Sequence, residues 1–270
     1  MEFSTKVEIP KASFEIGPCE EMLFVGSCFA QNIGSRFQEN MFRATVNPYG
    51  VMYNPASVLH TVERWKGHPH VAVLTLGTNH VYIERGTEAI VDNCRKRPQS
   101  LFREELLSVD ACASYLGQTV DLLTRRNPEV QVIVTVSPVR YRKYGYPGSQ
   151  LSKATLLLAA ARITGMYANV SYFPAYEIMN DELRDYRFYA ADMIHPSEQA
   201  VAYIWERFAE CYFGEAVRAF LRQWEPIREA LAHRPFHPES AEYQAFMART
   251  QEKFAELKAK YPEMPMNTVK

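Results

Sequence analysis

The order of apolar runs and amphipathic segments predicts an α/β protein: a three-layer α/β/α sandwich around a parallel sheet, with a C-terminal helical appendage. Three observations carry this. Short β-rich runs end at glycine or proline, segments with helical spacing stand between them, and from about Glu215 the chain is helical, charged and without strand signals. The 270 residues, 47% of them hydrophobic, suffice for one large core with a small addition.

Met22–Val25 reads as a buried strand stopped by Gly26. Phe29, Ile33, Phe37 and Met41 then recur every fourth residue, which is helix spacing. Val71–Leu76 is a second β-rich run, closed by Gly77. Ser100 to Arg126 has helical periodicity through Leu106, Leu107, Leu116, Leu122 and Leu123. Val130–Pro138 is the clearest strand, and Ser152–Gly165 reads as a helix with a serine at its start and a glycine at its end. Val170–Ile178 reads as a strand entering a loop. The segment from His195 to Gly214 reads as a helix with Pro196 near its first turn. Residues 1–214 are therefore expected to form the sandwich and residues 215–270 a helical extension packed on it. In that extension, Phe246, Phe254 and Leu257 form a packing stripe.

Lys and Arg total 30 against 31 Asp and Glu, so no global field argues for nucleic acid or a membrane surface. No run approaches the roughly 18 apolar residues of a membrane span. The first residues lack the basic start and apolar core of a signal peptide. The five cysteines are scattered without a CxxC pair, which argues against a disulfide framework or zinc site and for a reducing cytoplasm. His68 and His70 lack a third spaced ligand, so neither metal nor cofactor is expected.

The stretch Gly26-Ser27-Cys28 falls where a strand hands over to a helix. In parallel α/β sheets, sites form at the carboxyl ends of strands. A side chain in the first helical turn has free backbone N–H groups and the positive end of the helix dipole beside it. These can favour a thiolate and cradle an oxyanion. Ser27 and Cys28 are both nucleophile candidates; the plainer reading makes Ser27 a helix cap and Cys28 a packing thiol. A nucleophile needs a base, and a base needs an orienting group. Asp192 lies three residues before His195, just ahead of a helix. The carboxylate can fold back onto one ring nitrogen and leave the other free to take a proton.

Gly26–Ala30 ("GSCFA"), Asn47–Pro55, Thr75–Tyr82, Thr135–Arg140, Leu151–Ala159 and Asp181–Glu198, in this order, resemble the GSCFA domain family from about residue 20 to 213. That family is similar to the SGNH, or GDSL-type, hydrolases. The resemblance implies a doubly wound α/β/α fold and an esterase or acyltransferase acting on a small-molecule or glycan acyl ester, without cofactor. It implies a Cys28 (or Ser27), His195, Asp192 triad, with Gly50 and Asn79 donating to the oxyanion. Laid without gaps, Cys28 takes the nucleophile's position and Ser27 that of the usual aspartate; a one-residue shift makes Ser27 the nucleophile. Chemistry leans to Cys28, since a thiol beside an imidazole ionises more readily than a hydroxyl. His80 stands where an aspartate often follows the asparagine.

Arg140, Tyr141, Arg142 and Lys143 follow the carboxyl end of a strand and are candidates to hold an anionic or sugar substrate. The rival to an enzyme is a catalytically silent protein that uses the same pocket to bind a carbohydrate or acyl ligand. Oligomeric state is left open by the sequence.

Overall fold

A computed structural model of the chain describes residues 5–94 and 96–265. The first unit runs β1 (Glu21–Gly26), α1 (Cys28–Glu39), β2 (Arg43–Val46), α2 (Pro55–Arg64) and β3 (Val71–Leu76). A small antiparallel sheet follows, formed by β4 (His80–Glu84), β5 (Ala89–Val91) and β6 (Phe102–Leu106). The chain continues through α3 (Val109–Arg126), β7 (Gln131–Val136), α4 (Gly145–Met166) and β8 (Val170–Tyr172). It ends in a short helical turn α5 (Ala175–Glu177), then α6 (Glu198–Tyr212), α7 (Glu215–Ala232) and α8 (Ala241–Lys260).

The central sheet has five parallel strands in the order β2-β1-β3-β7-β8. Side chains alternate between its faces, and both faces are covered. Leu23, Val25, Leu74, Val132 and Val134 pack against α2, α3 and α4. Met22, Phe24, Val73 and Ile133 pack against α1 and α6. That double burial is why these strands read as unbroken apolar runs. The expected three-layer α/β/α sandwich is the observed one.

Three local readings change. Ser100 to Arg126 is not one helix. Phe102–Leu106 pairs with β4 as a strand, and the helix starts at Val109 behind a Ser108 cap. The helix expected from Ser152 begins at Gly145, seven residues earlier. The strand expected over Val170–Ile178 ends at Tyr172, and the chain turns helical at Ala175. Beyond the sandwich, α7 and α8 bury Phe220, Trp224, Ile227 and Leu257 in a cluster that includes Cys19 and Met41. Phe254 packs against this cluster, while Phe246 lies outside it, 37% exposed, beside the rings of His233 and Tyr243. No helix among the described residues is long and apolar enough to cross a membrane.

Candidate functional site

The order reverses between β1 and β3, so the carboxyl ends of these strands frame the crevice where such sheets place their sites. Gly26 closes β1 at φ +147°, and a Cβ there would stand 2.1 Å from the Thr75 carbonyl oxygen. Only glycine lets the two strands meet so closely. The Gly26 N–H donates to Asn47 Oδ1 at 2.9 Å, which ties the end of β2 to the same corner.

Ser27 caps α1. Its Oγ accepts from the Phe29 N–H at 3.2 Å and donates to Ser137 Oγ at 2.8 Å, and the residue is 1% exposed. Cys28 is the first helical residue and is only partly buried. Its N–H takes no partner among the described residues. Its thiol neighbours the phenol of Tyr53; burial raises that phenol's pKa, and the neighbouring thiol raises it further. The Tyr53 ring meets Tyr141 edge-on at 5.9 Å, and the Tyr141 phenol is likewise pushed up, by burial first and then by Tyr53 and Cys28.

Asp192 folds back on His195 as its spacing suggested. Oδ2 lies 2.6 Å from His195 Nδ1, and Oδ1 accepts from the N–H groups of Ile194 and His195. The His195 bonds and the Ile194 N–H hold the Asp192 carboxyl down to about 2. This loop is fastened to the carboxyl end of β7. The Arg140 N–H donates to the Ile194 carbonyl at 3.0 Å, and Arg140 Nη1 donates to the Met193 carbonyl at 3.0 Å. Cys28 and His195 thus lie on the same edge of the sheet, linked through Ser27–Ser137 and Arg140–Ile194; no direct hydrogen bond joins them among the described residues.

The two donors expected for the oxyanion are engaged in this geometry. The Gly50 N–H donates to the Asn47 carbonyl at 2.8 Å in a tight turn. Asn79 is buried, and its Nδ2 donates to the Leu107 carbonyl at 2.7 Å. The basic loop divides. Arg140 stacks over the Tyr146 ring at 4.0 Å, and Arg142 is exposed. Lys143 pairs with Glu104 and the Tyr82 hydroxyl of the small sheet, and Tyr141 faces inward beside Tyr53. A cleft of about 260 Å³ opens beside the His195 loop, lined by Arg140, Gln150, Asn180, Arg184, Tyr186 and Tyr189 among others.

Sequence reasoning missed Tyr53, which neighbours the Cys28 thiol, Ser137, which bonds the Ser27 cap, and Lys153, which bonds the Ser137 carbonyl. Lys153 carried the one usable signal: a lone charge among Leu156, Ala159, Ala160 and Ile163 on the buried face of α4.

A parallel α/β sandwich with a thiol in the first helical turn after β1, and an Asp-His pair on a later loop of the same edge, is the class of protein this is. The chain belongs to the GSCFA family, whose profile matches residues 21–72 and 66–208; a profile described as GSCFA domain protein, C-terminal domain, matches residues 224–270. No curated protein matches the chain. Similar solved structures include a carbohydrate esterase family 3 protein from Talaromyces cellulolyticus, at 11% identity over 74% of this chain and 98% of that one, TM-score 0.44. A GDSL-like lipase from Bacteroides thetaiotaomicron shares 14% identity over 74% of this chain and 88% of its own, TM-score 0.44. An acetylxylan esterase from Geobacillus stearothermophilus shares 14% over 74% and 98%, TM-score 0.46.

Proposed function

We propose that this protein is an acyl-ester hydrolase or acyltransferase that uses Cys28 as nucleophile, His195 as base and Asp192 as orienting carboxylate. The observation that carries the reading is the Asp192–His195 pair fastened to the same sheet edge that presents Cys28. With Nδ1 donating to Asp192, His195 Nε2 is the acceptor and takes the thiol proton as sulfur attacks the acyl carbonyl carbon. Asp192 then stabilises the imidazolium. The Cys28 N–H, at the positive end of α1, faces the developing oxyanion; one such donor is worth about 3 kcal/mol. The tetrahedral intermediate collapses, the leaving alcohol receives the proton from His195, and water or an acceptor hydroxyl clears the thioester. The cleft lined by Arg140, Arg184 and Tyr186 suits a polar or glycan portion of the ester.

Turnover of a panel of p-nitrophenyl and acyl-CoA esters tests this. C28A and H195A should each lower kcat by about a thousandfold or more, and full turnover by H195A would end the proposal.

One observation favours the second reading, a silent binding protein: the Gly50 and Asn79 donors are both engaged. Fast labelling of Cys28 by a thiol probe only when His195 is present supports the enzyme. Slow labelling with or without it supports the binder.

A further inference from the structure

Helix α4 carries a buried polar stripe where its neighbours are apolar. Ser149, Ser152 and Lys153 all lie at or below 6% exposure. Each reaches a loop at the carboxyl edge of the sheet. Ser149 Oγ accepts from the Tyr141 N–H at 3.2 Å, and Ser152 Oγ accepts from the Asn79 N–H at 3.0 Å. Lys153 Nζ donates to the Gly77 carbonyl and to the Ser137 carbonyl, each at 2.7 Å.

Those two carbonyls belong to the residues that follow β3 and β7. The ladder between these strands runs to Leu76 opposite Val136, and the Ser137 N–H still donates to the Leu76 carbonyl. One residue further on, Lys153 takes the place of the next rung. Each residue it holds has a second bond toward the thiol. Ser137 Oγ accepts from Ser27, the cap of the helix that begins at Cys28. The N–H groups of Gly77 and Thr78 both donate at 2.8 Å to the carbonyl of Tyr53, whose phenol neighbours the Cys28 thiol. A Cβ on Gly77 would stand 2.7 Å from the Tyr141 hydroxyl and 3.0 Å from the Tyr53 carbonyl oxygen, so a side chain there would have to displace them.

A buried ammonium is a poor choice for stability alone. The bonds of Lys153 are to carbonyls and its neighbours are the rings of Tyr141 and Tyr176, with no carboxylate bonded to it among the described residues. Burial pushes its pKa down to about 7, and an apolar side chain of like volume would avoid that cost.

We propose that Lys153 is a positioning residue for Cys28: by bridging Gly77 and Ser137 it fixes both the Ser27 cap and the Tyr53 phenol that bracket the thiol. This rests on Cys28 being the nucleophile.

The test compares wild type, K153M and K153R in the full chain. Three quantities are read: Tm, the iodoacetamide alkylation rate at the Cys28 peptide by mass spectrometry, and kcat and KM on p-nitrophenyl acetate. K153M should stay folded, change the Cys28 alkylation rate, and lower kcat about tenfold or more with KM moved less than about threefold. K153R keeps a cation with donors for both carbonyls and should return both the alkylation rate and kcat part of the way to wild type. Folded K153M with wild-type alkylation and wild-type kcat overturns the proposal. So does failure of both variants to fold, which would assign the lysine to stability. If wild type turns over no ester, yet alkylation changes in K153M and returns in K153R, the positioning role stands and acyl transfer falls.

Discussion

Ser27 Oγ donates to Ser137 Oγ at 2.8 Å, so a hydroxyl pair joins the ends of β1 and β7 over the intervening β3. The same oxygen caps α1. A hydroxyl enclosed and bonded in this way holds structure, and the neighbouring thiol is the one with an open approach.

The two residues of the Ser-Cys pair should therefore separate by experiment. S27A removes a helix cap and one of the two donors to the buried Ser137 hydroxyl, the other being the Val139 N–H, a loss of about 1–2 kcal/mol. C28A should change stability by less than about 1 kcal/mol, since its thiol is only partly buried, and should abolish turnover. Thermal melts alongside ester hydrolysis decide it. The reverse pattern, with S27A inactive at unchanged Tm and C28A active, would make the serine the nucleophile.

Asp192 gives a signed dependence on pH. Its folded pKa, about 2, lies below the ordinary 3.8. The stability it contributes is therefore present above about pH 4 and is lost as pH falls toward 2. Urea melts of wild type and D192N should differ by a constant amount above about pH 5 and converge below it. Activity should respond differently. D192N keeps the ring near its place but loses the carboxylate that orients it, and kcat should fall by about a hundredfold or more at every pH measured.

What the sequence revealed and what it hid follow from how local each interaction is. Asp192 and His195 sit three residues apart, so their contact needs one turn of chain and was legible. Strands β1, β3 and β7 were legible because burial on both faces made them unbroken apolar runs, whereas β2, half-buried along its length, gave no such run. Phe102–Leu106 was not, because Leu106 and Leu107 extend the helical spacing of the segment behind them, and the partner strand is more than a dozen residues away. The start of α4 was hidden because Gly145 and Pro147, both poor helix formers, occupy its first turn. Ser27 finds its partner 110 residues away and Lys153 finds its two at 76 and 16, and no local pattern encodes which oxygen they find.

Lys153 adds a dependence of opposite reach. Its folded pKa lies near 7 against an ordinary 10.5, so between those values the unfolded chain binds more protons. Stability owed to this group should rise with pH across that window. Measured as the difference between wild type and K153M, which cancels the shared tyrosines and carboxylates, unfolding free energy should favour wild type more at pH 9 than at pH 7. A difference that shrinks would mean the amine is stabilised as a cation.

Gly26 tests the corner itself. Its φ of +147° and the 2.1 Å approach of the Thr75 carbonyl leave no place for a methyl group. G26A must push β1 from β3 or bend the entry to α1, at a cost of about 3 kcal/mol or more. The variant should show a large drop in urea midpoint; a midpoint within error of wild type would show that the strand ends tolerate separation.

Arg140 and Arg184 line one cleft and should affect catalysis differently. The Arg140 guanidinium is engaged with the Met193 carbonyl and with the rings of Tyr146 and Tyr189, so it braces the loop that carries His195. R140M should lower kcat about tenfold with KM nearly unchanged, and R140K should recover little, because an ammonium lacks the planar fork that bonds and stacks at once. Arg184 is largely exposed and pairs with Asp181 only at 4.0 Å, which leaves its charge available to a bound anion or hydroxyl. R184A should raise KM several-fold on a substrate that fills the cleft and leave kcat alone, and it should have no effect on p-nitrophenyl acetate, which is too small to reach it. An effect of R184A on kcat with that small ester would place Arg184 among the supports of the histidine loop instead.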